Sequence, residues 1–467
     1  MIPFGEWLPD QPSSQSSIVR NALPFATSYG PVKELVTTTN ALDGACLGSF
    51  WAKEDDDTIR NFAGDATKLY LLSASTYSNV SKSGNYSTSS WEFAKFGERI
   101  IAVGPNETPQ YYDMGSSSLF ADLTGAPAAK HIAIVQDFVV LGRLDSAVDT
   151  IKWSGFNNSD LWTPDPSTQS GEQNLLGDGG RIQKIIGGDV GVIFQEHAIR
   201  LLTPSGPPFI QRIDNVLPSQ GTPASGSVCR RGKDIYYLGH DGFYMLNISQ
   251  GGPQPIGSEK VDRYISKNID RTRYDEISSA VDRQNRLVFW SIPFLSGKKI
   301  IAYSWAVNKF TEIDIDCDCL GEFASSGYTI AQLDSLFATI GDADIAIGSD
   351  ALQGGAIAVS AFKDNKLATF SGTPLTATLE TGELSGRQMI NRIRPIVEGA
   401  GDIKLRVGTR NKQTEAITYS ATKNMVSNGD FTHRSNAHHT KFQIDITGGF
   451  SHAEGVELIS GRQGGFR

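Results

Sequence analysis

One arrangement of apolar and polar positions recurs along the chain: a turn residue or pair, about four large apolar residues in succession, then a Gly, Pro or polar turn. It is carried by Leu69-Tyr-Leu-Leu72, Ile100-Ile-Ala-Val103, Phe138-Val-Val-Leu141, Val190-Gly-Val-Ile-Phe194, Ile235-Tyr-Tyr-Leu238, Leu287-Val-Phe-Trp290 and Leu336-Phe-Ala-Thr-Ile340. The starts lie 31 to 52 residues apart, close to the length of one four-stranded propeller blade. Seven instances predict a β-propeller of about seven blades. Each run is then an inner strand, apolar on both faces because neighbouring blades cover it. The more alternating segments that follow, such as Ile199–Leu202, Gly242–Leu246 and Ile300–Trp305, belong further out. The competing reading of such spacing is a pair of stacked sandwiches, and the Trp-Asp, kelch and sialidase repeat signatures are missing. The best helix candidate, Val261 to Tyr274, has poor apolar spacing, so the chain reads as all-β.

Beyond Gly372 the pattern changes to strict alternation, as in Leu375–Leu379, Asn391–Val397, Ile403–Val407, Phe442–Ile446 and Gly455–Ile459. Alternation marks strands with one wet face, hence a small antiparallel β-sandwich. The expected divisions are residues 1–60 (an N-terminal arm and the start of the propeller), 61–373 (the propeller body) and 374–467 (the sandwich).

Composition adds two constraints. The 467 residues carry 20% charged residues, 48 Gly and 20 Pro, a turn-rich globular balance. No run is apolar and long enough for a membrane span, and Met1 to Asp10 lacks the features of a signal peptide, so synthesis in the cytoplasm is expected. The net charge of -9 argues against tight wrapping of nucleic acid, which depends on Lys and Arg neutralising phosphates. The charge is uneven: residues 374–467 hold 12 basic against 9 acidic residues, and residues 1–373 hold 30 against 42.

Several groups invite chemistry, and each has a plainer structural reading. Cys46, Cys229, Cys317 and Cys319 lack metal-site spacing and read as buried thiols. Asp314, Asp316 and Asp318 alternate with apolar residues and read as the solvated face of a strand, since the Gly and Glu of a calcium loop are absent. Gly341-Asp-Ala-Asp reads as a turn and a strand. His433, His438 and His439 read as a polar loop. No nucleophile elbow, phosphate-cradling loop or zinc-binding His pair is present, so no catalytic residue, metal or cofactor is expected and the chain does not read as an enzyme.

Segments of residues 1 to 300 resemble a family of phage structural proteins. The resemblance is carried by Phe4-Gly-Glu-Trp-Leu-Pro-Asp-Gln-Pro12, Asn21-Ala-Leu-Pro24, Tyr29-Gly-Pro-Val32, Trp91-Glu-Phe-Ala-Lys-Phe-Gly97, Pro109-Gln-Tyr-Tyr-Asp113, Trp153-Ser-Gly-Phe-Asn157, Gly239-His-Asp-Gly-Phe-Tyr244 and Pro255-Ile-Gly-Ser-Glu-Lys-Val261. In length and expected architecture the chain is similar to the nozzle or tail-hub protein of short-tailed phages, also called the packaged-DNA stabilisation protein. That resemblance implies a subunit of the virion tail, in a ring of about six copies below the portal and adaptor. Tail fibre or spike proteins would be further neighbours, and DNA would pass through without being gripped.

On that expectation Phe4, Trp7 and Leu8 of the arm are candidates for docking on a neighbour. Arg392, Arg394, Lys404 and Arg406, at alternating positions, are either a surface for an acidic partner or a wet face. The alternative function is a carbohydrate- or receptor-binding propeller, with Trp153, Trp162 and Trp305 as candidate stacking residues.

Overall fold

A computed structural model describes residues 1–11, 18–249, 251–324, 357–399 and 401–463. Strands make up 53% of it and helix 4%, so the fold is all-β. Six separate four-stranded sheets form a six-blade propeller arrangement. Each of the first five is a simple antiparallel meander, for example Glu92–Phe96, Arg99–Val103, Gln110–Asp113 and Ala121–Asp122 in the second. The tight turns fall where turn residues punctuate the apolar runs. Gly97, at φ +60°, sits in the two-residue connection that pairs Phe96 with Arg99, a conformation open to glycine at little cost.

The recurrent apolar run is the second strand of its sheet in Ile100–Val103, Phe138–Leu141, Gly191–Phe194, Ile235–Leu238 and Leu287–Trp290. These side chains are buried between neighbouring sheets: Ile101 packs with Val139 and Leu141, and Val192 with Ile235 and Tyr237. Leu69–Leu72 is instead a third strand, and the run at 336–340, like Gly341-Asp-Ala-Asp, lies outside the described residues.

The last sheet consists of Cys319–Ala324, Ile357–Lys363 and Lys366–Thr369 and is completed by Val36–Thr37 from the N-terminal segment, with Ala368 opposite Thr37. This pairing joins the two ends of the ring. Between the fifth sheet and the last stands a further four-strand meander, Ser278–Asp282, Leu287–Phe294, Gly297–Ser304 and Lys309–Ile313, whose first strand touches the first strands of both neighbours. The propeller thus has six separate blades rather than the about seven expected from sequence, with this meander set between the fifth and the last. The meander is not a separate sheet, because Lys309–Ile313 continues in parallel into Val19–Arg20, and Val19–Arg20 into Ala377–Glu380.

Through that junction the C-terminal strands Leu384–Glu398, Asp402–Arg410, Phe431–Thr447 and His452–Gln463 join one 15-stranded sheet with the meander. The separate sandwich expected for residues 374–467 is therefore not confirmed. Trp290 and Phe310 of the meander share one core with Leu379, Ile393, Phe442 and Ile444. Alternation records that one face of a strand is buried, not what covers it. Here the open edge of a blade supplied the partner. The helix candidate shortens to Asp262–Asn268 followed by a 3₁₀ segment, Arg271–Glu276.

Candidate functional site

The first strands of the sheets face the axis of the ring and enclose a cavity of about 290 Å³. Second strands are apolar because sheets cover both their faces, whereas first strands can turn polar side chains to the axis. Glu92 opens the first strand of the second sheet, His131 lies in Ala129–Val135 of the third, and Lys184 in Ile182–Ile186 of the fourth. Glu92 Oε2 is 2.9 Å from His131 Nδ1, and Glu92 Oε1 is 3.2 Å from Lys184 Nζ, so one carboxylate ties three sheets together. Lys130 Nζ lies 3.0 Å from Asp275, which precedes the meander.

The electrostatics follow from burial. His131 is 2% exposed, and burial pushes its pKa down to about 4, against the pull of Glu92. It is thus neutral near pH 7. Burial pushes Glu92 up, but Lys184 and His131 outweigh it and hold the carboxyl below its ordinary value. A neutral ring that donates its Nδ1 proton to Glu92 leaves Nε2 as a bare acceptor, and Nε2 has no partner among the described residues. That atom is itself buried, so the polar character of the cavity wall comes from Glu92, Lys130, Lys184 and Asp275. A larger open groove of about 400 Å³, lined by Leu23, Val32, Phe289 and Phe370, carries no buried titratable side chain.

The residues singled out from sequence are dispersed. Phe4, Trp7 and Leu8, the candidates for docking on a neighbour, are buried within the chain itself. Trp7 packs edge-on against Tyr264 with ring centroids 5.5 Å apart, Phe4 N–H donates to Glu454 O, and the Asp10 carboxylate accepts from the backbone N–H of Arg263 and Tyr264 at the start of the helix. The arm has a partner within its own chain because the core it covers would otherwise face water.

Arg392 and Arg394 both pair with the buried Asp430 at 2.6 and 2.9 Å, Arg406 pairs with Asp445 at 3.2 Å, and Lys404 lies 3.5 Å from Asp402. Each candidate cation is thus half-exposed and matched by a carboxylate, a wet face with internal partners. Trp153 and Trp162 are buried and cannot stack on a sugar, and Trp305 is partly buried with the Arg231 guanidinium over its ring at 4.6 Å.

Asp314, Asp316 and Asp318 do alternate outward while Ile315 and Cys317 point inward, but along the connection after Ile313 rather than on a strand. Asp314 pairs with Arg20 and Lys299. His433, His438 and His439 lie on the strand Phe431–Thr447, not in a loop, and His439 pairs with Glu383 at 3.0 Å. Among the described residues no cluster of three or more His, Cys, Asp or Glu is placed to hold a metal ion, and no helix is long and apolar enough to cross a membrane.

No family model and no curated protein matches the chain. Among solved structures it is similar to the extracellular domain of a proposed one-component system from B. thetaiotaomicron, at 9% identity and a TM-score of 0.45, over 77% of this chain and 41% of that one. A second match, the extracellular domain of a proposed hybrid two-component system from the same organism, gives 11%, 0.46, 82% and 43%. A computationally designed protein gives 12%, 0.40, 72% and 98%. The chain thus spans about two fifths of the length of the first two. Likeness at this level carries no argument, and function is left to the chain's own residues.

Proposed function

We propose that the chain is a non-enzymatic structural subunit of a short phage tail, a nozzle or hub ring below the portal and adaptor that retains packaged DNA and forms the channel for its ejection. The observation that carries this reading is the Val19–Arg20 strand, which joins a propeller blade to the C-terminal strands in one continuous sheet. A ring subunit that holds DNA under pressure benefits from a single stiff body, and a binding propeller on a flexible tether does not need one. The resemblance of the N-terminal half supports the same class.

In this reading the DNA channel lies between about six copies rather than along the axis of any one of them. The net charge of -9, multiplied around such a ring, repels phosphates, so DNA slides rather than sticks. Leu176, Phe209 and Leu295 are each at least 75% exposed and are the contacts we assign to neighbouring copies, the portal and adaptor, or tail fibre and spike proteins. In this reading the chain is made in the host cytoplasm and ends in the virion tail.

The test is deletion of the reading frame from the phage genome. The expected particles fill their heads but lose DNA before infection, and complementation restores them. Mutant particles that keep their DNA and infect normally would contradict the proposal. The alternative, a carbohydrate- or receptor-binding propeller, is favoured by the axial cavity with its polar lining of Glu92, Lys130, Lys184 and Asp275. A glycan array separates the two.

A further inference from the structure

The first and last sheets of the ring meet along their innermost strands, Gly48–Lys53 and Cys319–Ala324. They approach closely there: a Cβ at Gly321 would stand 2.5 Å from Ser49 Oγ. Cys46 is buried in the core of this seam with Leu42, Tyr77 and Phe362, and Cys319 packs against the same cluster. The Cys46 thiol donates to Gly48 O at 3.4 Å. Contact with the Cys46 thiol, together with burial, holds the Cys319 thiol well above its ordinary range. Cys319 also lines the axial cavity, which gives a small molecule a route to it. The seam is also crossed by the two-residue strand Val36–Thr37, by the Leu42 N–H to Asn365 O at 2.9 Å and by the Asn61 side-chain amide to Ala324 O at 3.1 Å.

We propose that Cys46 and Cys319 are a disulfide site that locks the seam of the propeller when the chain passes from a reducing to an oxidising medium. Both side chains are thiols in the structure, as a cytoplasmic product requires. The oxidant is a peroxide, small enough for the cavity. One thiolate of the pair attacks the O–O bond, giving a sulfenic acid and releasing hydroxide, which takes up a proton to become water. The other thiol then displaces water from that sulfur and forms the S–S bond. Each sulfur loses one electron, and both peroxide oxygens leave as water. The closed loop runs from residue 46 to residue 319, so it constrains most of the unfolded propeller. Because the thiol is held protonated, the reaction is slow at neutral pH and quickens as pH rises. The inference does not depend on the tail assignment.

The experiment treats the folded full-length protein with hydrogen peroxide at pH 8, blocks remaining thiols, and maps peptides by mass spectrometry without reduction. The expected result is a linked Cys46–Cys319 peptide, Cys229 and Cys317 recovered as thiols, and a melting temperature raised by about 3–5 °C that dithiothreitol reverses. Cys46→Ser and Cys319→Ser each lose the linked peptide and the gain. A Cys229→Ser/Cys317→Ser variant, which keeps the seam pair intact, must still form the link. Recovery of Cys46 and Cys319 as separate thiols or separate oxidised acids, or linkage of either to Cys229 or Cys317, would overturn the proposal.

Discussion

Replacing Trp7 by Ala tests whether the N-terminal arm belongs to the fold or waits for a partner. Trp7 is 3% exposed, belongs to the core that spans the meander and the C-terminal strands, and meets Tyr264 edge-on. Truncating a buried Trp costs about 3–5 kcal/mol, of which the aromatic pairing supplies about 1 kcal/mol. The neighbouring contacts depend on the same anchor: the Tyr29 hydroxyl donates to Gly5 O at 2.8 Å, and Glu6 pairs with Lys260 at 2.9 Å. The entropy of unfolding for 467 residues is about 1 kcal/mol per degree, so Trp7→Ala should lower the melting temperature by about 3–5 °C in a single cooperative transition. Asp10→Ala, which removes the acceptor at the start of the Asp262–Asn268 helix, should cost about 1 kcal/mol and about 1 °C. Differential scanning calorimetry reads both. A Trp7→Ala protein that melts within 1 °C of the parent would refute the reasoning and return the arm to the role of a free docking segment.

Three further outcomes follow from burial and close contact. His131 has its folded pKa depressed to about 4 from an ordinary 6.5, so its contribution is fully present above pH 6.5 and is lost as pH falls towards 4. At about 1.4 kcal/mol per unit this amounts to roughly 3 kcal/mol, and urea midpoints measured from pH 7 to pH 4 should show a slope that His131→Gln flattens. Asp262 behaves oppositely: burial raises its pKa to about 7, against the Phe243 N–H and with help from Asp10 and Asp241, so its contribution is present below pH 4 and lost as pH rises through 7. Asp262→Asn should therefore raise the melting temperature at pH 8 and change it little at pH 4. Gly48→Ala and Gly187→Ala place a methyl group 2.2 Å from Trp91 O and 2.1 Å from Ile134 O across sheet boundaries, and each should cost about 1–3 kcal/mol by thermal melting.

The parts of the fold legible in sequence are those where one physical cause dominates a whole segment. Ile100–Val103 and Ile235–Leu238 are unbroken apolar runs because sheets bury them on both sides. First strands were harder to read. Glu92–Phe96 and Ala129–Val135 mix apolar residues with the Glu, Lys and His that face the axis. Glu92, His131 and Lys184 are 39 and 53 residues apart, so nothing local announces that one carboxylate holds the other two. A Lys-His pair at the start of an otherwise apolar strand was the available hint. The closing strand Val36–Thr37 is too short to have a period. Alternation did locate Ile403–Val407 and Phe442–Ile446, but the partner across which such strands bury their apolar face is a long-range property, which is why their union with the meander in one sheet was not legible.

The central claim is most directly tested by placing the chain in the particle. On the proposed reading, phage particles made with an epitope tag on this chain are imaged by cryo-electron microscopy with antibody decoration. The account predicts label confined to the tail, in a ring of about six copies below the portal and adaptor, with density between the copies wide enough for duplex DNA. Mature, infectious particles free of the label, or label on the capsid shell or on detached fibres, would contradict it.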